Sequence, residues 1–373
     1  MAAIDLGMPG VGPAFNDAKR QLDICNSCRY CAGYCPVWPA LERRVNLTPA
    51  DVTHLANLCH DCRDCYLACM YTPPHEFNVN PPKLFAAERA RTYEQFIWPA
   101  ARLRRANGPV AAATAVIVIA ALLAVLSVCT VGSTAFTGST GTAYNVIRYD
   151  VLLVLVGAPA VYSVVVLLAA AARYWKFTRG SFRDLLDLRS WRSALAEALT
   201  LRHQAGTDEP CAYPADRPGP SRRLFHQLVV FGFALTIAST LSAALEQHAA
   251  GVQPPYPYLS APVMTGIAGG LLQLVGCAAL IRLKRQSDPT QTTPIAWRAD
   301  FAFLWALIVL NATGLLVLAL RTTPIFGAIL VIHLAAVITA FAVVPYTKFV
   351  HWIFRTLAIY QNTLETRQAH PEA

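Results

Sequence analysis

Charge is scarce in this sequence. Asp, Glu, Lys and Arg make up 14% of the 373 residues while 55% are hydrophobic, and mean hydropathy is +0.40. A soluble domain carries about 25% charged residues, so a chain of this composition is not soluble throughout. The deficit falls almost wholly after residue 108. Several signatures of chemistry are also missing. There is no Rossmann glycine fingerprint, no phosphate-binding P-loop and no nucleophile elbow, so the chain is not assigned an organic substrate of its own. A net charge of +9 is accompanied by no nucleic-acid-binding signature. Met1 to Gly12 lacks a basic n-region, a long apolar h-region and a twin-arginine signal. Residues 1–107 are therefore expected to stay in the cytosol.

What is present after residue 108 is a series of apolar stretches long enough to span a bilayer: about 110–131, 151–172, 224–245, 262–281, 301–320 and 325–347. None contains Asp, Glu, Lys or Arg within these limits. Arg102, Arg104 and Arg105 precede the first. The loop 173–223 is the most basic part of the chain, with Arg173, Lys176, Arg179, Arg183, Arg189, Arg192, Arg202, Arg217, Arg222 and Arg223. Arg282, Lys284, Arg285 and Arg298 flank the fourth loop, and Lys348, Arg355 and Arg367 follow the last span. The alternate loops are nearly bare of Lys and Arg. The positive-inside rule then places both termini in the cytoplasm, and topology with anionic lipid accounts for the positive charge. The expected fold is all-α: a small helical domain over 1–107, a six-span membrane bundle over 108–355 and a cytoplasmic tail over 356–373.

The chain has 11 cysteines, and eight fall into two runs of one spacing, Cys25-x₂-Cys28-x₂-Cys31-x₃-Cys35 and Cys59-x₂-Cys62-x₂-Cys65-x₃-Cys69. This is the ferredoxin pattern for two [4Fe–4S] clusters. Three thiolates on one tight loop cap three irons, and the last cysteine of each run serves the other cluster. Cys25, Cys28, Cys31 and Cys69 are thus expected to hold one cluster, and Cys59, Cys62, Cys65 and Cys35 the other. Structural zinc pairs two Cys-x₂-Cys units rather than three consecutive cysteines, and clusters belong in a reducing compartment. Pro36 follows the first run as the pattern expects, whereas Met70 follows the second. Thr48-Pro49 reads as an N-cap and first-turn proline opening a helix to Leu58 that delivers Cys59. Asp184–His203 reads as an amphipathic helix, lying on the membrane or docked on the cluster domain. Gly206–Arg223 is a proline-rich linker in which Cys211 is a lone thiol. Cys129 and Cys277 read as small packed hydrophobes.

Four histidines stand at span ends or inside spans: His226, His248, His333 and His351. Ionisable residues in a bilayer are costly and are functional candidates. His333 and His351 are 351 − 333 = 18 residues apart, about five helical turns and roughly 27 Å on one face. His226 and His248 are 22 apart, about six turns. With spans three and six antiparallel, His226 faces His351 near the cytoplasm, and His248 faces His333 toward the outside. This is the arrangement of bis-His haem b, one group or two. Pro345 lies between the two histidines of span six, where a kink would rotate the face.

Beyond the generic cluster pattern, Cys28-Arg-Tyr-Cys-Ala-Gly-Tyr-Cys-Pro, Leu55-Ala-Asn-Leu-Cys-His-Asp-Cys, Pro73-Pro-His-Glu-Phe and Pro345-Tyr-Thr-Lys-Phe-Val-His351 resemble the tricarballylate/citrate utilisation protein B family over nearly the whole chain. The resemblance implies a double-cluster domain on a haem-containing membrane anchor. It also implies a role: to reoxidise the FAD of a separate cytosolic dehydrogenase that converts tricarballylate to cis-aconitate, with the quinone pool as electron sink. A conduit for a different flavoprotein is the nearest alternative. A transporter with a regulatory Fe–S domain would show broken spans and intramembrane polar sites, of which Gly157, Pro159, Gly269 and Gly270 are the only hints. A membrane-anchored redox sensor would need an output domain.

Overall fold

A computed structural model describes residues 13–99, 109–137, 142–201, 203 and 221–369. Arg102, Arg104, Arg105, Arg202, Cys211 and Arg217 lie outside the described residues, as does the linker up to residue 220. The described residues form helices and turns with no strand. Six helices are long and apolar enough to cross a membrane.

Five helices build the N-terminal part: α1 (Pro13–Cys28), α2 (Val37–Glu42), α3 (Pro49–Leu58), α4 (Asp64–Leu67) and α5 (Pro81–Phe96). Two of these starts have a clear local cause. Thr48 caps α3 by accepting from the Asp51 amide, Asp51 answers with the Thr48 amide, and Pro49 occupies the first turn, where its missing N–H costs nothing. The expected helix is therefore present and ends at Leu58, with Cys59 in extended backbone. Asn80 caps α5 in the same way, accepting from the Lys83 amide. Helix α3 is the hub. Every residue from Val52 to Leu58 is buried, and α2, α5 and the C-terminal helix pack around it.

The spans are α6 (Pro109–Val131), α7 (Tyr149–Phe177), α9 (Ser221–His248), α10 (Ala261–Gln286), α11 (Pro294–Ala319) and α12 (Phe326–Val343). They fall into two groups of three. Leu123 of α6, Phe326, Leu330 and Leu334 of α12 and their neighbours on α7 form one core; Cys277 and Ile281 of α10 with Leu304 and Leu307 of α11 form another, against Val229 of α9. Helices α9 and α10 meet through glycine. A Cβ on Gly269 would lie 2.7 Å from the Gly232 carbonyl, and one on Gly232 2.8 Å from the Gly269 carbonyl, so the backbones touch as small-residue packing in lipid requires. Gly269, a hint of a transporter in the sequence, is here a packing residue.

Two segments differ from expectation. Span six ends at Val343: Pro345 cannot continue the ladder, two single 3-10 turns follow, Thr347 is extended, and His351 opens a new helix, α13 (His351–Ala369). His333 and His351 therefore sit on different helices, and the five-turn face argument does not hold for them. Nor is 356–373 simply a tail, because Phe354, Leu357, Ala358, Ile359 and Tyr360 of α13 are buried in a core shared with α1, α3, α5 and the end of α7. Tyr93 stacks on Phe354 at 5.7 Å, and Tyr174 lies 5.0 Å from the same ring. The amphipathic segment forms α8 (Leu188–Thr200) and docks on α13, Trp191 stacking on Tyr360 at 4.1 Å. Apolar burial thus welds the N-terminal domain to one end of the bundle.

Candidate metal centres

The two cysteine runs wrap alike. Each has its second cysteine followed by an arginine in the left-handed region, Arg29 at φ 58° and Arg63 at φ 73°, with Asp61 at φ 56°. Such backbone in non-glycine residues is costly and is held only where the surroundings impose it. The loops enclose two adjoining cavities. Cys25, Cys28, Cys31 and Cys69 line one, which is open in part to solvent. Cys35, Cys59, Cys62 and Cys65 line the other, and Cys65 also borders the first. The last cysteine of each run thus faces the cavity of the other run.

No disulfide joins the described cysteines. Burial, then the neighbouring Cys69, push the Cys25 and Cys31 thiols up to about 12. Burial also raises Cys35, Cys62 and Cys65. Thiols so crowded resist losing protons to water and lose them to a metal. Backbone amides already point at sulfur: Asp61 N–H donates to Cys59 Sγ and Tyr71 N–H to Cys69 Sγ, both at 3.3 Å. Two soft four-sulfur sets with amide donors fit iron–sulfur clusters.

Around Cys59 the sequence pattern missed a shell of arginines. Arg355 of α13 donates to the Cys59 carbonyl at 2.8 Å and also contacts His60 Nδ1. Arg89 and Arg222 lie 3.8 and 3.4 Å from the Asp61 carboxylate. Burial would raise that carboxylate, but Arg63, Arg222 and Arg89 together hold it well below the usual range. These arginines come from four distant parts of the chain, so no local spacing could announce them. His60, Glu197 and His203 also cluster within 4.8 Å. Arg355 donates to His60 Nδ1, which turns Nε2 toward Glu197 at 3.8 Å and makes this a polar junction between α8 and the cysteine loop.

The histidines separate into one assembled pair and two others. His226 of α9 and His351 at the start of α13 have ring centroids 6.3 Å apart with planes at 87°. Two imidazoles bound to one metal at about 2 Å each would place their centroids about 6 Å apart. His351 Nδ1 faces the Lys348 carbonyl at 2.6 Å, which leaves Nε2 as the ligand atom. Burial, then Lys348, hold its pKa down at about 4, so the ring is neutral. Lys348 itself is fixed by Asp300 of α11, which also bonds Lys284 of α10. His248 and His333 are not brought together. His248 is exposed and bonds Tyr149 at 2.7 Å, while His333 bonds Thr313 at 3.0 Å and lies against Gly314. The reason is the grouping of spans: α9 packs with α10, and α12 with α6 and α7.

Comparison with known proteins agrees with this division. Residues 101–372 match the family described as citrate utilization protein B, and residues 18–95 match the citrate utilization protein B Fer4-like domain. The chain is 33% identical to citrate utilization protein B of Escherichia coli over 94% of its own length and 93% of the relative's. The chain belongs to the citrate utilization protein B family. No solved structure matches it. A Fer4-like domain carrying both cysteine sets, in a member of the citrate utilization protein B family with six apolar helices, points to an iron–sulfur electron-transfer role in a multi-pass membrane protein.

Proposed function

We propose that this protein is a membrane-anchored electron conduit that reoxidises the reduced FAD of a separate cytosolic dehydrogenase acting on tricarballylate or citrate, and delivers the electrons to membrane quinone. The observation that carries the reading is the sharing of eight cysteines between two adjoining cavities, on a domain whose core continues into the helix that presents His351. In this reading Cys25, Cys28, Cys31 and Cys69 hold one [4Fe–4S] cluster, Cys59, Cys62, Cys65 and Cys35 a second, and His226 and His351 one haem b. Bound there, these groups supply one-electron carriage, which divides the two electrons of a reduced flavin into single steps.

The chain's own residues do the rest. Exposed Cys28 and Tyr30, 61% exposed, present the outer cavity to a soluble flavoprotein. Asp300 and Lys348 fix the segment before α13, and the Lys348 carbonyl orients the His351 ring. The basic loops lie at the same end as the cysteine domain: Arg63 donates to the Asp288 carbonyl at 3.2 Å and Asn80 to that of Thr290 at 3.2 Å. By the positive-inside rule that end is cytoplasmic.

The test mixes membranes containing the protein and quinone with the dehydrogenase and its substrate, following flavin absorbance anaerobically. Reoxidation of flavin that disappears with Cys25→Ser is expected. Normal reoxidation by that variant would contradict the wiring.

A further inference from the structure

The two cysteine sets differ in the charges around them. The outer cavity is bordered by one charge of each sign, Arg29 and Glu42. Arg29 and Cys28 are exposed, so water and salt screen that pair. The inner cavity is different. Arg63, 3% exposed, forms part of its wall. Arg355 reaches the Cys59 carbonyl from α13. Arg89 bonds the Ala56 carbonyl at 3.1 Å from α5, and Arg222 bonds the Asp61 carbonyl from α9. The Arg89 and Arg222 side chains are only 17% and 15% exposed. Against these four cations stand three carboxylates beside the same loop, Asp61, Asp64 and Glu197, an excess of 4 − 3 = 1 positive charge.

We propose that this asymmetry makes the inner set, Cys35, Cys59, Cys62 and Cys65, the one that holds an added electron more tightly, so that the arginine shell gives the path its direction from the Cys28 surface toward His351. The inference rests on the proposed cluster binding by both sets. Reduction of a cluster adds one negative charge, and nearby charge is a principal determinant of its potential. Burial of the inner set works in the opposite sense, because it removes water that would stabilise that charge. The arginines replace the water with fixed cations whose field is weakly screened. Moving one electron inward oxidises the outer cluster by one electron and reduces the inner one by the same electron, with no bond made or broken in the chain. Arg355 also lies one helical turn beyond His351, so the helix carrying the inner imidazole carries one of the cations.

The experiment is a redox titration of the full-length protein in detergent, followed by electron paramagnetic resonance, for wild type, Arg89→Gln, Asp61→Asn and Arg29→Gln. Arg355→Gln is avoided, since Arg355 also contacts His60 and stands on the helix headed by His351. Because Arg89 also hydrogen-bonds Cys59, Asp61→Asn, which leaves every arginine in place, isolates the effect of charge. Two cluster signals with separate midpoints are expected. Arg89→Gln lowers the higher midpoint, Asp61→Asn raises it, and Arg29→Gln leaves it in place. Two clusters whose midpoints shift together, or whose lower midpoint alone responds to Arg89 and Asp61, would overturn the inference and leave the proposed function standing. Absence of cluster signals from the wild type would overturn both.

Discussion

His54 shows how one buried side chain sets a pH limit. It lies 1% exposed in the middle of α3, and burial, reinforced by Arg44, holds its pKa down at about 3 against Asp51. The unfolded chain takes up a proton near the ordinary value of about 6.5, and the folded chain only near 3. Stability is therefore full above about pH 6.5 and is lost progressively as pH falls from there toward 3. His54→Leu should flatten the change in thermal midpoint between pH 7 and pH 5, read by intrinsic fluorescence in detergent. An unchanged slope would place the acid sensitivity elsewhere. At the cysteines, Cys25→Ser should remove about half of the cluster iron while membrane insertion persists, as iron assay and membrane fractionation would show. The grouping of the eight cysteines into two cavities was legible because the spacing of the two runs dictates it. The arginines around Cys59 were not, because Arg63, Arg89, Arg222 and Arg355 meet only after tertiary folding.

Among the elements, the six spans and α3 could be read directly, the spans from length and hydropathy, α3 from its Thr48-Pro49 start. The break after span six was visible only as Pro345. Its consequence, a separate helix headed by His351, depends on packing against the N-terminal domain, which no periodicity conveys. The same limit applies to the outer histidines. Each stands on a span on the same side of the sequence-derived topology, but topology does not say which helices are neighbours. The α9–α10 contact makes a direct test of helix packing. Gly269→Leu would drive a side chain into the Gly232 backbone, and overpacking of this kind costs about 1–3 kcal/mol. The variant should show a lower thermal midpoint in detergent, with the cysteine domain's iron content unchanged. A midpoint equal to that of wild type would mean the two backbones are further apart than described here.

Over the whole molecule, one core runs from the cysteine loops through α3 and α13 to one end of span α7. A loosely tethered ferredoxin would diffuse between its donor and the membrane. This one is fixed, with Arg355 on the cysteine loop and His351 one turn away on the same helix. The central claim is that a single chain holds clusters and haem in that fixed relation. The measurement that tests it most directly is the absorbance spectrum of the detergent-purified protein, oxidised and then reduced, with iron and haem assayed on the same sample. The account predicts broad cluster absorbance together with a b-type haem signal at one haem per chain, the haem signal disappearing in His351→Ala while cluster absorbance remains. Clusters without haem would contradict it, returning His226 and His351 to structural roles and requiring electrons to reach quinone from the cysteine sets alone.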